Sequence, residues 1–544
     1  MAFRSLTLAT SLSCLAMLAG CGSSDEGSDD FAFSSDQATL LTFEFEGRFI
    51  ADNVWNAERT AEDQMLYSIG HLNGDTAVGR LDKLELSNIE RSELEDGRTL
   101  VTYHAKMPVA WAAKTNLPET YDFTFPLHVD SDDYETFTEK YGHSCVDWGA
   151  HDVDSGSMWY YYRPNRSGCE MAEEDVFVTT ATVTVSDENT EGKYPEYHMV
   201  WDDQALTVVA IFGKYEDGAT TSSDAGISAY NNFVASMKSK LRDHQLITVP
   251  EEVSSNPGVA MPDITFRATR PDGRSVEIVA LLVDNVRTAS EEFNQRYEEL
   301  STDADMIFYN GHAGLGANVR ALGQKGEFKA GKYQIFFMNG CDSFAYVDGY
   351  LAEARALLNP DDPTGTRYMD MVTNVMPSFF RSMPYASIAM IDGLLSYEHP
   401  KTYDEIFTKI DSSEVVVVTG EEDNVYYPGY EPGGGSSWDG MSESGSVASG
   451  ESTPYELGQL PAGTYIFAMS PDAEQPGGDA DLYLALGRAP TLDDYDERPY
   501  LNGSAETITI QLDEPTSVFL MVHGYQYADT DSSAYLLEGR AATE

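Results

Sequence analysis

The chain has 544 residues, and 34 Lys and Arg against 90 Asp and Glu give it a formal net charge of −56. A chain this acidic does not bind nucleic acid or an anionic lipid surface through a basic patch, which excludes those two classes of partner. Its length exceeds what one hydrophobic core supports, so we expect about three domains.

The first residues are typical of an export signal. Arg4 supplies a positive charge, and residues 6–18 form an apolar stretch that is too short to span a bilayer as a mature helix. Leu18-Ala19-Gly20-Cys21 then resembles a bacterial lipobox, in which the cysteine becomes the lipidated N-terminus; an ordinary secretory signal is the alternative. We expect a signal peptide at 1–20, lipidation of Cys21 and an acidic tether at 21–35, which would anchor the protein at the outer membrane or cell surface.

The predicted export suggests a role for most of the cysteines. Cys14 leaves with the signal peptide and Cys21 carries the lipid. Cys145 and Cys169 are close enough in sequence to close a modest loop, and an oxidising compartment favours a disulfide between them. Cys341 is then the odd thiol, and an inert buried cysteine is the alternative to a reactive one.

Residues 36–195 are predicted to form a β-rich domain. Segments 41–47, 98–104 and 176–185 alternate or cluster β-branched and aromatic residues. The stretch 143–154 contains His, Cys and Asp residues of the kinds that bind metals, but no spacing indicates a particular metal, and we favour a loop stapled by the disulfide.

Residues 196–411 alternate strand and helix patterns. An apolar run at 206–212 precedes a helical pattern at 230–241, and 263–270 with 275–283 flank a turn signal and predict a hairpin. Thr288-Ala-Ser-Glu291 predicts a capping box, a helix is expected over 344–357, and the apolar run 386–395 is interpreted as a strand. Such alternation favours a mainly parallel sheet covered by helices.

The composition changes again after residue 411. Residues 412–453 are rich in Gly, Ser and acidic residues, including 433–437, and predict a flexible linker. Short alternating strands then predict a β-sandwich at 454–544. The predicted fold class is therefore multidomain: a β-rich N-terminal domain, an α/β domain with a mainly parallel sheet, and a C-terminal β-sandwich.

Two apolar strand patterns end in chemistry-bearing residues. One runs into Asn310-Gly311-His312, and the other runs into Asn339-Gly340-Cys341. Because functional groups collect at the carboxyl ends of parallel strands, we expect an imidazole and a thiol to share one crevice if these strands are neighbours. The imidazole would activate the thiol as a nucleophile. Backbone amides of Cys341 and of Ala313 or Gly314 would form an oxyanion hole.

The segment 206–395 resembles a caspase, gingipain or legumain-type cysteine peptidase of the caspase-like fold. In that superfamily a hydrophobic strand ends in His-Gly and the next strand ends in a small residue followed by the nucleophilic Cys. The matching residues are His312 and Cys341, with Asp342 and Ser343 following; Ala313 stands where glycine is usual, and Gly340 replaces the common alanine. The resemblance implies a Cys–His dyad that needs no metal or cofactor, and Asp392 is a candidate specificity-pocket acid.

The C-terminal region resembles the bacterial pre-peptidase C-terminal domain, a β-sandwich appended to secreted peptidases. The resemblance rests on residues 479–484, 488–491 and 495–503, and Glu497 and Ile508 stand where many members have a cysteine pair. Asp472, Asp479 and Asp481 offer the hard oxygen ligands that calcium prefers, and solvated turn acids are the alternative.

Two functions are consistent with the sequence. The first is an exported, lipid-anchored cysteine endopeptidase acting on peptide or protein substrates, with Cys341 as nucleophile and His312 as base. The second is a catalytically inactive caspase-like surface lipoprotein that binds protein or polysaccharide.

Overall fold

The computed structural model describes residues 32–150, 153–347, 349–430, 438, 440–461, 463–472, 477–499, 501–512, 515–525 and 532–541. The predicted signal peptide, the lipidation site Cys21, most of the tether and the Gly-Ser run 433–437 lie outside these described residues. Within the described ranges, no helix is long and apolar enough to cross a membrane.

An antiparallel sheet organises the N-terminal part, after a short strand β1 (Phe33–Ser34). Its six strands are β2 (Thr39–Ala51), β3 (Ala77–Gly79), β4 (Glu85–Glu93), β5 (Thr99–Trp111), β6 (Thr120–Pro126) and β7 (Val176–Val185). They lie in the order β3-β5-β2-β7-β6, with β4 also paired to β5. Buried and exposed residues alternate along much of β2, as expected of a sheet with one covered face. The β-rich character predicted for this region is confirmed.

Helices of this part are α1 (Ala57–Asn73), α2 (Ser131–Tyr141) and α3 (Met158–Tyr161). The β-rich pattern of this region predicted strands only, so the 17-residue α1 is a correction. Its N-cap is Asn56, whose side chain accepts a hydrogen bond from a backbone amide in the first turn. The buried face of α1 includes Gln64, Ser68 and His71, so the apolar periodicity that would have indicated a helix is weak.

The predicted disulfide between Cys145 and Cys169 is confirmed. The loop that it closes carries Arg163 and α3, and Trp159 of α3 packs against Tyr346 of the neighbouring α/β part of the chain. Cys341 is the free cysteine among the described residues.

A nine-stranded sheet forms the middle of the chain. Its further strands are β8 (Ala205–Gly213), β9 (Ile247–Val249), β10 (Asp263–Thr269), β11 (Ser275–Val283), β12 (Met306–Asn310), β13 (Gln334–Asn339), β14 (Met369–Asn374) and β15 (Val416–Thr419), in the order β1-β15-β14-β13-β12-β8-β11-β10-β9. The five central strands, from β14 to β11, pair in parallel, whereas β1, β15, β10 and β9 add antiparallel edges. The carboxyl ends of the central strands therefore meet at one edge of the sheet.

Helices cover both faces of this sheet. They are α4 (Tyr197–Val200), α5 (Ala225–Lys240), α6 (Glu291–Ser301), α7 (Ala317–Lys325), α8 (Tyr350–Leu358), α9 (Met383–Leu394) and α10 (Tyr403–Phe407). One core joins α4, α5, α9 and α10 to the sheet face that includes Val208 and Ala210, and a second core joins α6, α7 and α8 to the opposite face, with Val209 and Ile211. Every residue of β12, β13 and β14 is buried, which explains the apolar runs of β12 and β13.

Two local predictions in this part are wrong. The run 386–395, interpreted as a strand, lies in and just after α9. A short apolar run does not distinguish a strand from a helix that is buried nearly all round, and α9 is the second case. The N-cap of α6 is Ser290, which accepts from the amide of Phe293, so the capping box predicted at 288–291 is not formed as such.

Two domain boundaries also shift. Phe33 and Ser34, assigned to the tether, pair with β15, which itself lies inside the predicted linker 412–453. A core shared by the two parts surrounds this contact and includes Phe33, Leu40, Phe344 and Val417. The β-rich sheet and the α/β sheet are consequently packed together through a buried apolar interface.

Two antiparallel sheets form the C-terminal part. The strands are β16 (Met441–Ala448), β17 (Ser452–Leu460), β18 (Gly463–Pro471), β19 (Ala480–Leu486), β20 (Glu506–Leu512), β21 (Thr516–Gly524) and β22 (Ser532–Ala541). They form one sheet in the order β16-β22-β18-β20 and another in the order β17-β21-β19. Buried side chains of both sheets share one core that includes Phe467, Leu482 and Leu537.

Candidate active site

The two predicted strand ends are neighbours in the sheet. Strands β12 and β13 pair in parallel, and Asn310 is opposite Asn339. His312 and Cys341 each follow two residues later, at equivalent positions on strands that lie about 4.8 Å apart. The amide of Gly311 donates to the carbonyl of Asn339 at 3.2 Å, so the turns that carry the imidazole and the thiol are in direct contact.

Buried amide side chains lock these strand ends. Asn339 Nδ2 donates to Asn310 Oδ1 at 3.0 Å, and both residues are fully buried. Ser387 of α9 donates to the same Asn310 oxygen at 3.0 Å, and Ser378 donates to Asn339 Oδ1 at 2.7 Å. Each chemistry-bearing residue is thus preceded by an Asn-Gly pair, which is a sequence signal for this arrangement.

The imidazole of His312 is exposed and packs against two aromatic rings that also contact each other. The ring centroids of Tyr215 and Phe380 are each 5.1 Å from that of His312. His312 Nε2 lies 3.2 Å from the backbone carbonyl oxygen of Tyr215, which can only accept. In the neutral ring this contact places the proton on Nε2 and leaves Nδ1 as the basic nitrogen.

The loop that supplies this carbonyl is itself fixed by a helix cap. Asp224 is the N-cap of α5, and its carboxylate accepts from the amide of Ile227 at 2.9 Å. The same carboxylate accepts from the amides of Tyr215 and Glu216, at 3.2 and 2.9 Å. A backbone carbonyl therefore orients the imidazole, in the role that a carboxylate fills in many catalytic triads.

The thiol of Cys341 is half-buried. Its Sγ donates to the carbonyl of Ser378 at 3.5 Å. Burial, followed by the negative charge of Asp342, raises the pKa of this thiol to about 11. The thiol is therefore protonated at neutral pH, and a nucleophilic attack by its sulfur requires a base to take the proton.

One short segment contacts both residues. Ser378 accepts from the Cys341 thiol, and Phe380 packs edge-on against the His312 ring. The buried carboxyl of Glu414 holds this segment by accepting from the amide of Phe379 at 3.3 Å. Residues 378–380 thus join the thiol and imidazole sides of one site, although they lie far from either in sequence.

Backbone amides of the two turns are the candidate donors to an oxyanion. In the described part of the chain, the amides of Ala313, Gly314 and Cys341 donate to no backbone carbonyl. The carbonyl of His312 accepts from Tyr309 and from Asn318, each at 2.8 Å. Because a trans peptide points its N–H opposite to its C=O, these bonds fix the direction of the Ala313 amide.

Glycine at position 340 is required by the contact between the turns. A Cβ on Gly340 would lie 2.9 Å from the carbonyl oxygen of Gly311 and 3.2 Å from the amide nitrogen of Ala313. Both neighbours are backbone atoms, which do not move aside cheaply. This packing accounts for the glycine at position 340.

We expect Gly340→Ala to lower the free energy of unfolding by about 1–3 kcal/mol, because the added methyl overpacks the turn. Chemical denaturation followed by circular dichroism measures this loss. Gly323→Ala, in α7, is the control, since its new Cβ would make contacts of 3.4 Å or more. An unchanged stability for Gly340→Ala would show that the two turns do not touch as described.

Other predicted site residues lie elsewhere. Asp392 is near the C-terminal end of α9, where it forms an ion pair with Lys240 at 2.5 Å. Its cavity is lined by Arg270 and Val276, near the start of β11, and so faces the sheet edge opposite to His312 and Cys341. The structure does not bring Asp392 into the site.

The candidate calcium ligands are engaged with protein groups. Asp481 pairs with Arg498 at 2.7 Å, and Asp479 accepts from the amide of Gly503 at 2.6 Å. Asp472 hydrogen-bonds through its backbone to Ala534. Across the described ranges, no group of three or more His, Cys, Asp or Glu side chains is arranged to hold a metal ion. Of the 143–154 stretch, residues 151 and 152 lie outside the described part.

Comparisons with known proteins identify no family for this chain. No family model and no curated protein match the sequence. The solution structure of vEP C-ter 100 is 28% identical, with 17% of this chain and 83% of that chain covered and a TM-score of 0.15. PliG, a periplasmic inhibitor of g-type lysozyme from Aeromonas hydrophila, is 16% identical, with coverages of 19% and 86% and a TM-score of 0.15. The secreted serine protease VesC from Vibrio cholerae is 16% identical, with coverages of 18% and 20% and a TM-score of 0.14. Likenesses this low support neither a fold nor a function.

Proposed function

We propose that this chain is an exported, lipid-anchored cysteine endopeptidase with a caspase-like catalytic domain. The observation that carries the proposal is the placement of His312 and Cys341 at equivalent positions past adjacent parallel strands, with residues 378–380 contacting both. A base and a nucleophile at rigid strand ends, with backbone amides beside them, are the parts that acyl transfer needs.

The reaction proceeds through an acyl-enzyme. The Cys341 sulfur attacks the peptide carbonyl carbon while His312 Nδ1 takes the thiol proton. The amides of Cys341 and of Ala313 or Gly314 stabilise the negative oxygen. The intermediate collapses by breaking the C–N bond, and the imidazolium gives its proton to the leaving amine. A water molecule, deprotonated by the same imidazole, then hydrolyses the thioester and restores the thiol.

The remaining parts of the proposal rest on sequence. Cys21 would carry the lipid, and the acidic tether would hold the enzyme outside the cytoplasm. The C-terminal sheets would form a pre-peptidase C-terminal-like sandwich, as the resemblance at 479–503 implies. No metal or cofactor enters the reaction, and calcium at Asp472, Asp479 and Asp481 would require Arg498 to release Asp481.

A peptidyl electrophile that alkylates cysteine peptidases tests the proposal. We expect saturable labelling at pH 7.5, mapped to Cys341 by mass spectrometry, and its complete loss in Cys341→Ala. Cleavage of a mixed peptide library should be lost in the same variant. Cys341→Ala protein that still takes up the probe or still cleaves the library would overturn the assignment.

An inactive surface lipoprotein is the second candidate. The pKa of about 11 for the Cys341 thiol and its hydrogen bond to Ser378 are properties of a protonated, unreactive thiol. In this case Cys341 would react only with a small unselective reagent such as iodoacetamide at high pH. The library would stay uncut, and the protein would be retained specifically on cell-surface protein or polysaccharide.

A further inference from the structure

The residue after the candidate nucleophile has an unusual backbone and a buried charge. Asp342 has φ of +50°, in the left-handed region that side chains other than glycine rarely adopt. Its side chain is fully buried. Burial raises the pKa of its carboxyl to about 7, against the opposing effects of Tyr160, Arg163 and Asn73. A left-handed backbone at a residue other than glycine persists only where the surrounding structure fixes it. Residues outside this turn must therefore hold Asp342 in its conformation.

The N-terminal part of the chain supplies that support. Asn73, the last residue of α1, donates from Nδ2 to Asp342 Oδ1 at 2.6 Å. The two residues are 269 positions apart, and both are buried. A short hydrogen bond between a buried amide and a buried carboxyl fixes the direction of both groups.

Asn73 is itself held by an arginine. Arg163 donates from Nη2 to Asn73 Oδ1 at 2.5 Å and from Nη1 to the carbonyl of Gly70 at 2.6 Å. The second bond satisfies a carbonyl in the last turn of α1 and so ties the helix end to the disulfide-closed loop. The Asn73 amide cannot rotate without breaking a bond to Arg163 or to Asp342.

The same loop contacts the turn that follows the thiol, where the Tyr160 hydroxyl hydrogen-bonds to the Asp342 carboxyl. The charges of Asp342 and Cys341 both act on the Tyr160 hydroxyl and, after the larger effect of burial, raise the pKa of Tyr160. Trp159, next to Tyr160, packs edge-on against Tyr346, which follows the nucleophile by five positions. The β-rich part therefore packs against residues that follow Cys341 in the chain.

We propose that Asn73 is a positioning residue for Cys341: by holding Asp342, it lets the N-terminal β-rich part set the geometry of the nucleophile turn. The term nucleophile rests on the function proposed above. This gives the N-terminal part a role in the site that its sequence does not indicate.

The reactivity of the Cys341 thiol is expected to depend on the hydrogen bond from Asn73 to Asp342. The titratable groups that face this turn include Asp342 itself and Glu414, whose charges act on Cys341, and Arg163, whose charge acts on Asp342. Tyr160 hydrogen-bonds to Asp342, and Tyr346 lies within the electrostatic influence of both residues. Of these, Asp342 is the group that Asn73 contacts directly. The pH profile of Cys341 alkylation by iodoacetamide measures the thiol whether or not the chain cleaves peptides.

The test compares the full chain with Asn73→Asp and with the double variant Asn73→Asp, Asp342→Asn. In the single variant two carboxyls face each other, so we expect the alkylation midpoint to rise by at least half a pH unit. The double variant exchanges the two groups, so that the new amide at position 342 donates to the new carboxylate at position 73. The one charge then lies further from the thiol, and we expect the midpoint to return to the wild-type value or slightly below.

Asn165→Asp is the matched control, because it adds the same charge to the same part of the chain without touching Asp342. A midpoint unchanged in Asn73→Asp, or not restored in a folded double variant, would overturn the proposal. If Asn73→Asp does not fold, a double variant that folds and keeps the wild-type midpoint still supports it. Peptide cleavage is measured separately, so a failure of the proposed function appears as absent wild-type turnover with the alkylation results unaffected.

Discussion

Replacing His312 with alanine is expected to lower kcat/KM for peptide cleavage by about 10²–10⁴-fold at pH 7.5, the range typical of a general base. The physical reason is the pKa of about 11 for the Cys341 thiol, which leaves almost no thiolate at that pH. Without the imidazole, the base that the proposed mechanism assigns to the thiol proton is lost. Steady-state kinetics on a fluorogenic peptide found in the library screen measures the loss.

The pH dependence of thiol alkylation gives a second test of the role of His312. As the pH approaches 10, the thiol begins to ionise without help, so the difference between wild type and His312→Ala in iodoacetamide alkylation should shrink. His104→Ala is the matched control, because His104 is a histidine on β5 that pairs with Glu46 far from the site in the fold. Turnover of His312→Ala within twofold of wild type would refute a base at this position.

Thermal stability is expected to be higher at pH 5.5 than at pH 7.5. Burial raises the pKa values of Asp305, Asp342 and Asp370 to about 7 each, even though Lys332 partly offsets the effect at Asp305. Unfolded aspartates titrate near 3.9, so between about pH 4 and 7 the folded chain binds more protons than the unfolded chain.

The sign follows from this difference. Stability contributed by a carboxyl whose pKa is raised on folding is complete below the unfolded pKa and is lost as the pH rises through the folded pKa. His71 opposes the trend, because burial lowers its pKa to about 4 and it favours the folded state at higher pH. Three carboxyls outweigh one histidine, and at roughly 1 kcal/mol per group we expect a net loss of a few kcal/mol towards pH 7.5.

Differential scanning calorimetry at the two pH values checks this prediction. Asp305→Asn combined with Asp370→Asn should flatten the pH dependence, since it removes two of the three groups. Asp303→Asn is the control, because Asp303 is exposed and pairs with Lys329 at the surface, two residues from Asp305. A melting temperature that is equal or higher at pH 7.5 would contradict the expectation.

The sequence predicted the elements whose burial follows a regular period. The alternating residues of β2 and β7 and the apolar runs of β8, β12 and β13 were found where the structure has them. Helix α1 was missed because polar Gln64 and Ser68 lie on its buried face and bond to carbonyls there. Strand β1 was missed because two residues carry no period at all.

The candidate site also contains parts that the sequence predicted and parts that it did not. His312 and Cys341 were predictable because each follows a buried strand and an Asn-Gly pair. The groups that hold these two side chains were not predictable. The carbonyls of Tyr215 and Ser378 are backbone groups, which every residue type has, so the sequence does not mark them. Asn73 and Asp342 are 269 positions apart, and no local sequence pattern predicts a contact between residues so distant in the chain.

The pairing of Phe33 and Ser34 with β15 decides how this protein can be shortened. A recombinant product that starts at residue 196, the predicted beginning of the α/β domain, would lose β1 and leave the outer backbone groups of β15 unpaired. Exposed sheet edges of this kind recruit other chains and promote aggregation. The smallest fragment to express therefore begins before Phe33 and extends past Asn424, whose amide bonds to the buried Asp370.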